Sequence, residues 1–314
     1  MSSLHGFGWQ RPSGRAVDIR DSLIPETSPS SAWDDPGEIE QLRSAWSQQA
    51  ELKYQSDIVC DEEVIAGVRC LVANGPAGSP TTLYVHGGGF VAGSPKTARL
   101  VTDRLARSVS IVSVDYRLAP EHQFPDGRDD VLKVYTELLS GIGPNLTVAG
   151  DSAGANLALA AILTAIEEGT PGPAAVGLIS PIVDLTLSGD TADLLLGIDP
   201  TFTNQTVLRS FISAYAGNHP LSGPALSPLF SSHLGFLPRT LIQVGSRELL
   251  LSDSTRLARR ARLLGADVTL DVWEGMWHTW HYQTDLVESQ NALSELARFL
   301  VGHSTPPESS DLLG

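Results

Sequence analysis

Two periodicities alternate along the chain. Residues 37–53, GEIEQLRSAWSQQAELK, place Ile39, Leu42, Trp46 and Ala50 on one face at helical spacing. Residues 57–73 read as a hairpin, with extended stretches on either side of Val64 to Gly67. From there short, continuously apolar runs at 82–85, 111–116, 146–149, 176–180, 240–244 and 268–272 alternate with helical stretches near 95–108, 126–140, 153–168, 252–264 and 284–301. Apolar strands separated by helices predict a parallel sheet covered on both faces, of about eight strands once the hairpin is included. Residues 184–220 break the alternation and read as an insertion. Residues 1–36, rich in Ser, Pro and Asp, read as loop, and the final STPPESSDLLG reads as a polar tail.

Composition narrows the classes. The 314 residues carry 21 Lys+Arg against 36 Asp+Glu, a net charge of −15, which disfavours phosphate backbones and anionic lipid as partners. With 42% hydrophobic residues the chain is not a disordered one. Two cysteines, Cys60 and Cys70, exclude a disulfide scaffold, and no Cys/His cluster has zinc spacing. They lie symmetrically about Ile65, so a cross-strand bridge in a hairpin centred there is conceivable, although two thiols are favoured. The start, MSSLHGFGWQRPSGR, lacks an apolar leader core, and no run reaches the ~18 apolar residues of a membrane span, so a soluble cytoplasmic protein is expected. No P-loop, dinucleotide fingerprint or HExxH is present, so neither cofactor nor metal is implied.

In an open parallel sheet, chemistry gathers beyond the carboxyl ends of the strands. After 146–149 comes Gly150-Asp151-Ser152-Ala153-Gly154 and then the helical run ANLALAAILTAI. This G-x-S-x-G in strand–turn–helix context predicts a sharp turn with the Ser152 hydroxyl projecting above the sheet. The flanking glycines let strand and helix pass without a Cβ clash, and the helix start offers N–H groups to a developing anion. The plainer alternative is an ordinary turn capped by a serine. After 82–85 comes His86-Gly87-Gly88-Gly89-Phe90. Three consecutive glycines fit a backbone that turns N–H groups toward a ligand, here an oxyanion site from Gly87, Gly88 and Gly89, the latter two by preference, together with Ala153. His86 reads as a holder of that loop.

A general base is expected after the last strand, where Trp273-Glu-Gly-Met-Trp-His278 offers His278, with His281 as second choice. An acid is expected after the preceding strand. Glu248 lies in the first turn beyond it, whereas Asp253 sits in a Ser252-Asp253-Ser254 helix cap, so Glu248 is preferred. The order Ser152, Glu248, His278 is that of α/β-hydrolases.

Taken together these segments resemble the hormone-sensitive-lipase-like carboxylesterases, bacterial family IV. The matching pieces are HGGGF at 86–90, YRLAPEH at 116–122 with Phe124-Pro125, GDSAG at 150–154, Ser180-Pro181, Asp184-Leu185, Ser227-Pro228-Leu229 and Gly275-Met276 before His278, spanning about 56–302. The resemblance implies an α/β-hydrolase fold with a helical cap: 1–55 as an N-terminal cap segment, 56–183 and 221–303 as the core, 184–220 as a cap insertion and 304–314 as a tail. It implies a serine esterase acting on short-acyl or small apolar esters, a lactone being compatible, and a homodimer through the edge of the last strand. It also implies cap aromatics drawn from Trp9, Trp33, Trp46, Phe202, Phe211 and Tyr215, of which Trp46 reads better as core. Phe90, Trp277, Phe202 and Trp280 are the candidate pocket residues.

Within YRLAPEH, Arg117 and Glu121 are expected to pair beside the oxyanion loop. Two departures stand out: the family's usual Asp is Glu248 here, and the residue before the histidine, often Pro, is Trp277. A ligand-binding protein on the same fold, or an amidase or peptidase, are the alternatives. Family-like receptors lack the histidine, and the chain has no room for an oligopeptidase's extra domain.

Overall fold

The computed structural model describes residues 12–22, 36–53, 56–202 and 205–302. The expectations for Trp9, Trp33 and the tail from 304 lie outside them. The strands are β1 (Asp61–Ile65), β2 (Val68–Ala73), β3 (Thr81–Val85), β4 (Ser110–Val114), β5 (Leu146–Asp151), β6 (Val176–Ile179), β7 (Thr240–Gly245) and β8 (Val268–Trp273). The helices are α1 (Gly14–Ser22), α2 (Pro36–Lys53), α3 (Pro95–Leu105), α4 (Asp126–Ile142), α5 (Ser152–Glu167), α6 (Thr191–Leu194), α7 (Gln205–Ala216), α8 (Leu251–Leu263) and α9 (Val287–Val301).

The eight strands form one sheet in the order β1-β2-β4-β3-β5-β6-β7-β8, with the first two pairings antiparallel and the others parallel. This is the α/β-hydrolase arrangement, mostly parallel and covered on both faces. Alternate strand residues serve the two faces. Leu83, Val85, Val148 and Leu178 join α4, α5 and α8 in the larger core. Tyr84, Ile111, Ala149 and Ile179 join α3 and α9 in the smaller one. Every residue of β5 is buried, as are those of β6 and β7, so the strand that delivers Ser152 lies in the enclosed middle of the sheet.

Three expectations change. The hairpin turns at Ala66-Gly67, both at positive φ (47° and 81°), as a two-residue turn between right-twisted strands prefers. Its centre is therefore not Ile65, and Cys70 faces Glu63. Cys70 lies in the larger core while Cys60 packs against the smaller one, across the sheet, and both are free thiols. Burial pushes the Cys70 thiol up to about 12.

Residues 14–22 are helical although the pattern reads as loop. So short a helix needs tertiary support. It comes from Glu288, which accepts from the Ser13 N–H at 2.7 Å, from the Arg15–Asp285 ion pair at 2.7 Å, and from Ala16 buried against Met276, Trp277 and Trp280.

Arg117 pairs not with Glu121 but with buried Asp130 of α4, through two donors at 2.7 and 2.8 Å. Glu121 instead takes Arg43 of α2 at 2.8 and 2.9 Å. Arg43 also donates to the carbonyls of Val91 and Ala119 at 2.7 and 3.0 Å, fastening α2 to the segment after the triple glycine. The helical fork of Asp126 and Asp130, four residues apart, simply presents Arg117 with a better-buried carboxylate than its own loop does.

Arg117→Ala is expected to lower the unfolding free energy by about 1.5–3 kcal/mol in urea titration, because it strands the Asp130 carboxylate. Combining it with Asp130→Asn will cost little more than Arg117→Ala alone, whereas Glu121→Gln will add independently. Simple additivity of the Arg117 and Asp130 changes would contradict the pairing.

Candidate active site

The turn from β5 into α5 holds Ser152 at φ 52°, a left-handed conformation that non-glycine residues seldom adopt. Gly154 is required there, since a Cβ would run into the backbone carbonyls of Val85 and His86 at the end of β3. The Ser152 turn and the triple-glycine loop are thus pressed together backbone to backbone. The Ser152 hydroxyl lies 2.9 Å from His278 Nε2, and Glu248 Oε1 lies 3.5 Å from His278 Nδ1, at the outer edge of hydrogen-bond range. With the Nδ1 proton facing the carboxylate, Nε2 is left to accept from the hydroxyl.

Gly88 and Gly89 sit at φ 128° and 61°. Among the described residues their N–H groups donate to nothing, while the Gly88 carbonyl accepts from Val91 and Ala92 at 3.1 and 2.9 Å and closes the loop. Ala153, at the start of α5, has one of the N–H groups a helix leaves without an internal partner. Gly87 differs: its N–H donates to Asp151 Oδ1 at 3.0 Å. Its place is therefore in holding the loop, and the expectation that it serves an oxyanion is corrected. The same Asp151 oxygen accepts from the hydroxyls of Tyr84 and Tyr282 at 2.8 and 3.1 Å. Burial raises the Asp151 pKa, and these donors oppose that shift. His86 stacks on Tyr116 with centroids 4.3 Å apart, and burial pushes its pKa down to about 4.

Glu248 is fully buried. Its Oε2 accepts from Ser180 Oγ at 2.8 Å and from the Gly245 N–H at 2.9 Å. Asp253 lies apart, accepting from the N–H groups of Val183 and Asp184 at 2.8 and 3.0 Å and pairing with Arg256 at 3.1 Å; burial pushes it up to about 7. Burial alone would lower the His278 pKa, but the hydrogen bond and charge of Glu248, with the charges of Asp199 and Asp151, leave it raised above its ordinary value. His281 faces Gln243 Oε1 at 3.1 Å, and burial drives its pKa down to about 3.

A third carboxylate went unnoticed in the sequence. Asp199, from the insertion, is fully buried and accepts from the N–H groups of Thr201 and Leu249 at 2.9 and 3.1 Å. Burial pushes it up to about 6, against the pull of the His278 charge. An Asp-Pro in an aperiodic stretch gives no sign of this.

Ser152 and His278 open on a cavity of about 540 Å³. Its walls come from α2 through Leu42 and Trp46, from Pro200 to Phe202, from α7 through Leu208 and Phe211, and from Trp277. Among the described residues, no Lys or Arg lines it. Phe90 contributes to the lining with its ring stacked on Tyr215 at 4.1 Å, and the Phe202 ring lies 5.1 Å from His278. Two expectations are corrected here. Trp280 is not in the wall: it is fully buried behind it, 3.9 Å from His281 and 6.0 Å from Trp273. Trp46, taken for core, is partly exposed and does line the cavity, because the helical stripe it shares with Leu42 faces the cavity.

A family model described as alpha/beta hydrolase fold matches residues 82–282. An esterase of Acinetobacter venetianus is 37% identical over 248 residues, covering 75% of this chain and 79% of its own. An acetyl-hydrolase of Streptomyces hygroscopicus is 36% identical, covering 70% and 75%. A crystal structure of a hormone-sensitive lipase from a metagenome library superposes with a TM-score of 0.83 at 33% identity, covering 93% of this chain and 99% of that one. Fold and site thus define a carboxylic ester hydrolase. The chain belongs to the alpha/beta hydrolase fold family, among its hormone-sensitive-lipase-like esterases.

Asp253→Ala will orphan two buried N–H groups and is expected to destabilise the fold by about 2–4 kcal/mol, measured by urea unfolding. Stability within about 0.5 kcal/mol of the parent would show that these hydrogen bonds are not what Asp253 supplies.

Proposed function

We propose that the chain is a serine carboxylesterase for small, neutral, largely apolar esters or lactones, working through Ser152, His278 and Glu248. The observation that carries this is the 2.9 Å contact between the Ser152 hydroxyl and His278 Nε2 at the floor of the apolar cavity. Ser152 Oγ attacks the ester carbonyl carbon while its proton passes to His278 Nε2. Glu248 holds the Nδ1 proton and stabilises the imidazolium. The carbonyl oxygen, now an anion, takes the N–H groups of Gly88, Gly89 and Ala153, each worth about 3 kcal/mol in the transition state. His278 then gives its proton to the leaving alkoxide as the C–O bond breaks. Water, deprotonated by His278, then attacks the acyl carbon; the bond to Ser152 Oγ breaks, Oγ takes the proton back from His278, and the carboxylic acid leaves.

The lining supports the substrate class. With no Lys or Arg among the described residues of the wall and Asp151 at the floor, an anionic acid or alcohol portion finds no fixed side-chain counter-charge there. Trp46, Phe202, Leu208 and Phe211 give the space an apolar wall, and the N-terminal helix α2 and the insertion supply this wall as a cap over the strand ends.

Turnover of p-nitrophenyl esters from acetyl to dodecanoyl should peak at short chains, and Ser152→Ala should lose on the order of 10⁶-fold in kcat. Near-full turnover by that variant would sink the assignment. kcat/KM should fall with pH on protonation of His278, with its inflection above the ordinary histidine value because Glu248 favours the imidazolium. An inflection below that value would mean that the carboxylate does not act on the ring.

A further inference from the structure

Glu248 has one more side-chain torsion than the aspartate expected at its place, and so more ways to miss His278 Nδ1. Its carboxylate is nonetheless fixed at one oxygen. Oε2 accepts from the Gly245 N–H at 2.9 Å and from Ser180 Oγ at 2.8 Å, which leaves Oε1 to face the imidazole. An ionised carboxylate only accepts, so the single proton of the Ser180 hydroxyl is committed to it. The same hydroxyl oxygen accepts from the Thr279 N–H at 3.1 Å, in the residue directly after His278. One fully buried hydroxyl therefore joins three segments: the end of β6, the turn after β7 and the loop after β8.

The backbone at Ser180 sharpens the point. It stands at φ 45°, where glycine would be easier, and Thr279 stands at φ 52°. Of the six non-glycine residues at positive φ among those described, Phe90, Ser152, Ser180 and Thr279 lie at this site. Strained backbone of this kind persists where the surroundings demand a particular side chain.

We propose that Ser180 is a positioning residue, whose hydroxyl locks Glu248 in the arrangement facing His278 and registers the histidine loop against it. This rests on the triad reading above. The other ionisable groups acting on His278 are Asp199 from the insertion, Asp151 at the end of β5 and His281 on its own loop, and none of them donates to Glu248.

The test uses the full chain with p-nitrophenyl butyrate, comparing Ser180→Ala and Ser180→Gly, each with its melting temperature. Both remove the hydroxyl, but Gly relaxes the left-handed backbone. The expected result is a kcat about 10- to 100-fold lower in both, the range of a lost hydrogen bond to a charged group. KM should stay within about twofold, because substrate contacts are untouched. In a Glu248→Ala background, Ser180→Ala should cost nothing further, since its effect runs through the missing carboxylate. The proposal is overturned if Ser180→Gly keeps the parent kcat, or if Ser180→Ala costs the same factor with Glu248 absent. Should Glu248→Ala itself keep the parent kcat, the triad reading fails instead, and the two failures are distinct.

Discussion

A single carboxylate oxygen holds the site together. Asp151 Oδ1 accepts from Tyr84 on β3, from the N–H of Gly87 in the loop beyond it, and from Tyr282 beyond the histidine loop. Asp151 itself is the last residue of β5, so Ser152, the proposed nucleophile, is its chain neighbour. Burying a carboxylate is expensive, and three donors offset that cost only if their segments stand in the right places. The same crossing requires Gly154 to be bare, because backbone meets backbone on its side of the turn. Displacing any one of these segments would leave a buried charge short of donors.

This explains which parts were legible in the sequence. Strands in an enclosed parallel sheet are continuously apolar, so β3, β5 and β7 announce themselves, and the residues just beyond them inherit a predictable position. Ser152 and Glu248 were found in that way and His278 in the loop after the last strand, β8, and the structure brings them into one line of contacts. What stayed hidden depends on partners remote in the chain. Helix α1 has no apolar periodicity of its own and leans on Glu288 and Asp285. Arg117 lies four residues before Glu121 and takes Asp130 across a turn instead. The hairpin centre depended on which two residues accept positive φ, and a shift of that centre moved Cys60 and Cys70 to opposite faces. Trp46 and Trp280 exchanged expected roles because periodicity reports that a side chain is covered, and not whether a cavity lies between it and its cover.

The wall over the strand ends is coupled to the floor. Arg43 spends its guanidinium on two backbone carbonyls, Val91 and Ala119, and on Glu121. Leu42, next to it, and Trp46, one turn on, face the cavity. On the other side, Asp199 joins the insertion to the backbone of Leu249, beside Glu248, and Thr201 reaches the His278 carbonyl at 3.4 Å. Both wall pieces are therefore registered to the loops beyond the strand ends by hydrogen bonds to main chain, which are indifferent to the side chains that face the cavity.

That no Lys or Arg lines the cavity among the described residues has a consequence for the far end of the reaction. Ester cleavage turns a neutral ligand into an acid that ionises at neutral pH. That anion is born beside Asp151, in a chamber that holds no Lys or Arg among the described residues, inside a chain of net charge −15. Its own field drives the product outward. In the proposed mechanism the alcohol leaves first, uncharged, and feels no such push.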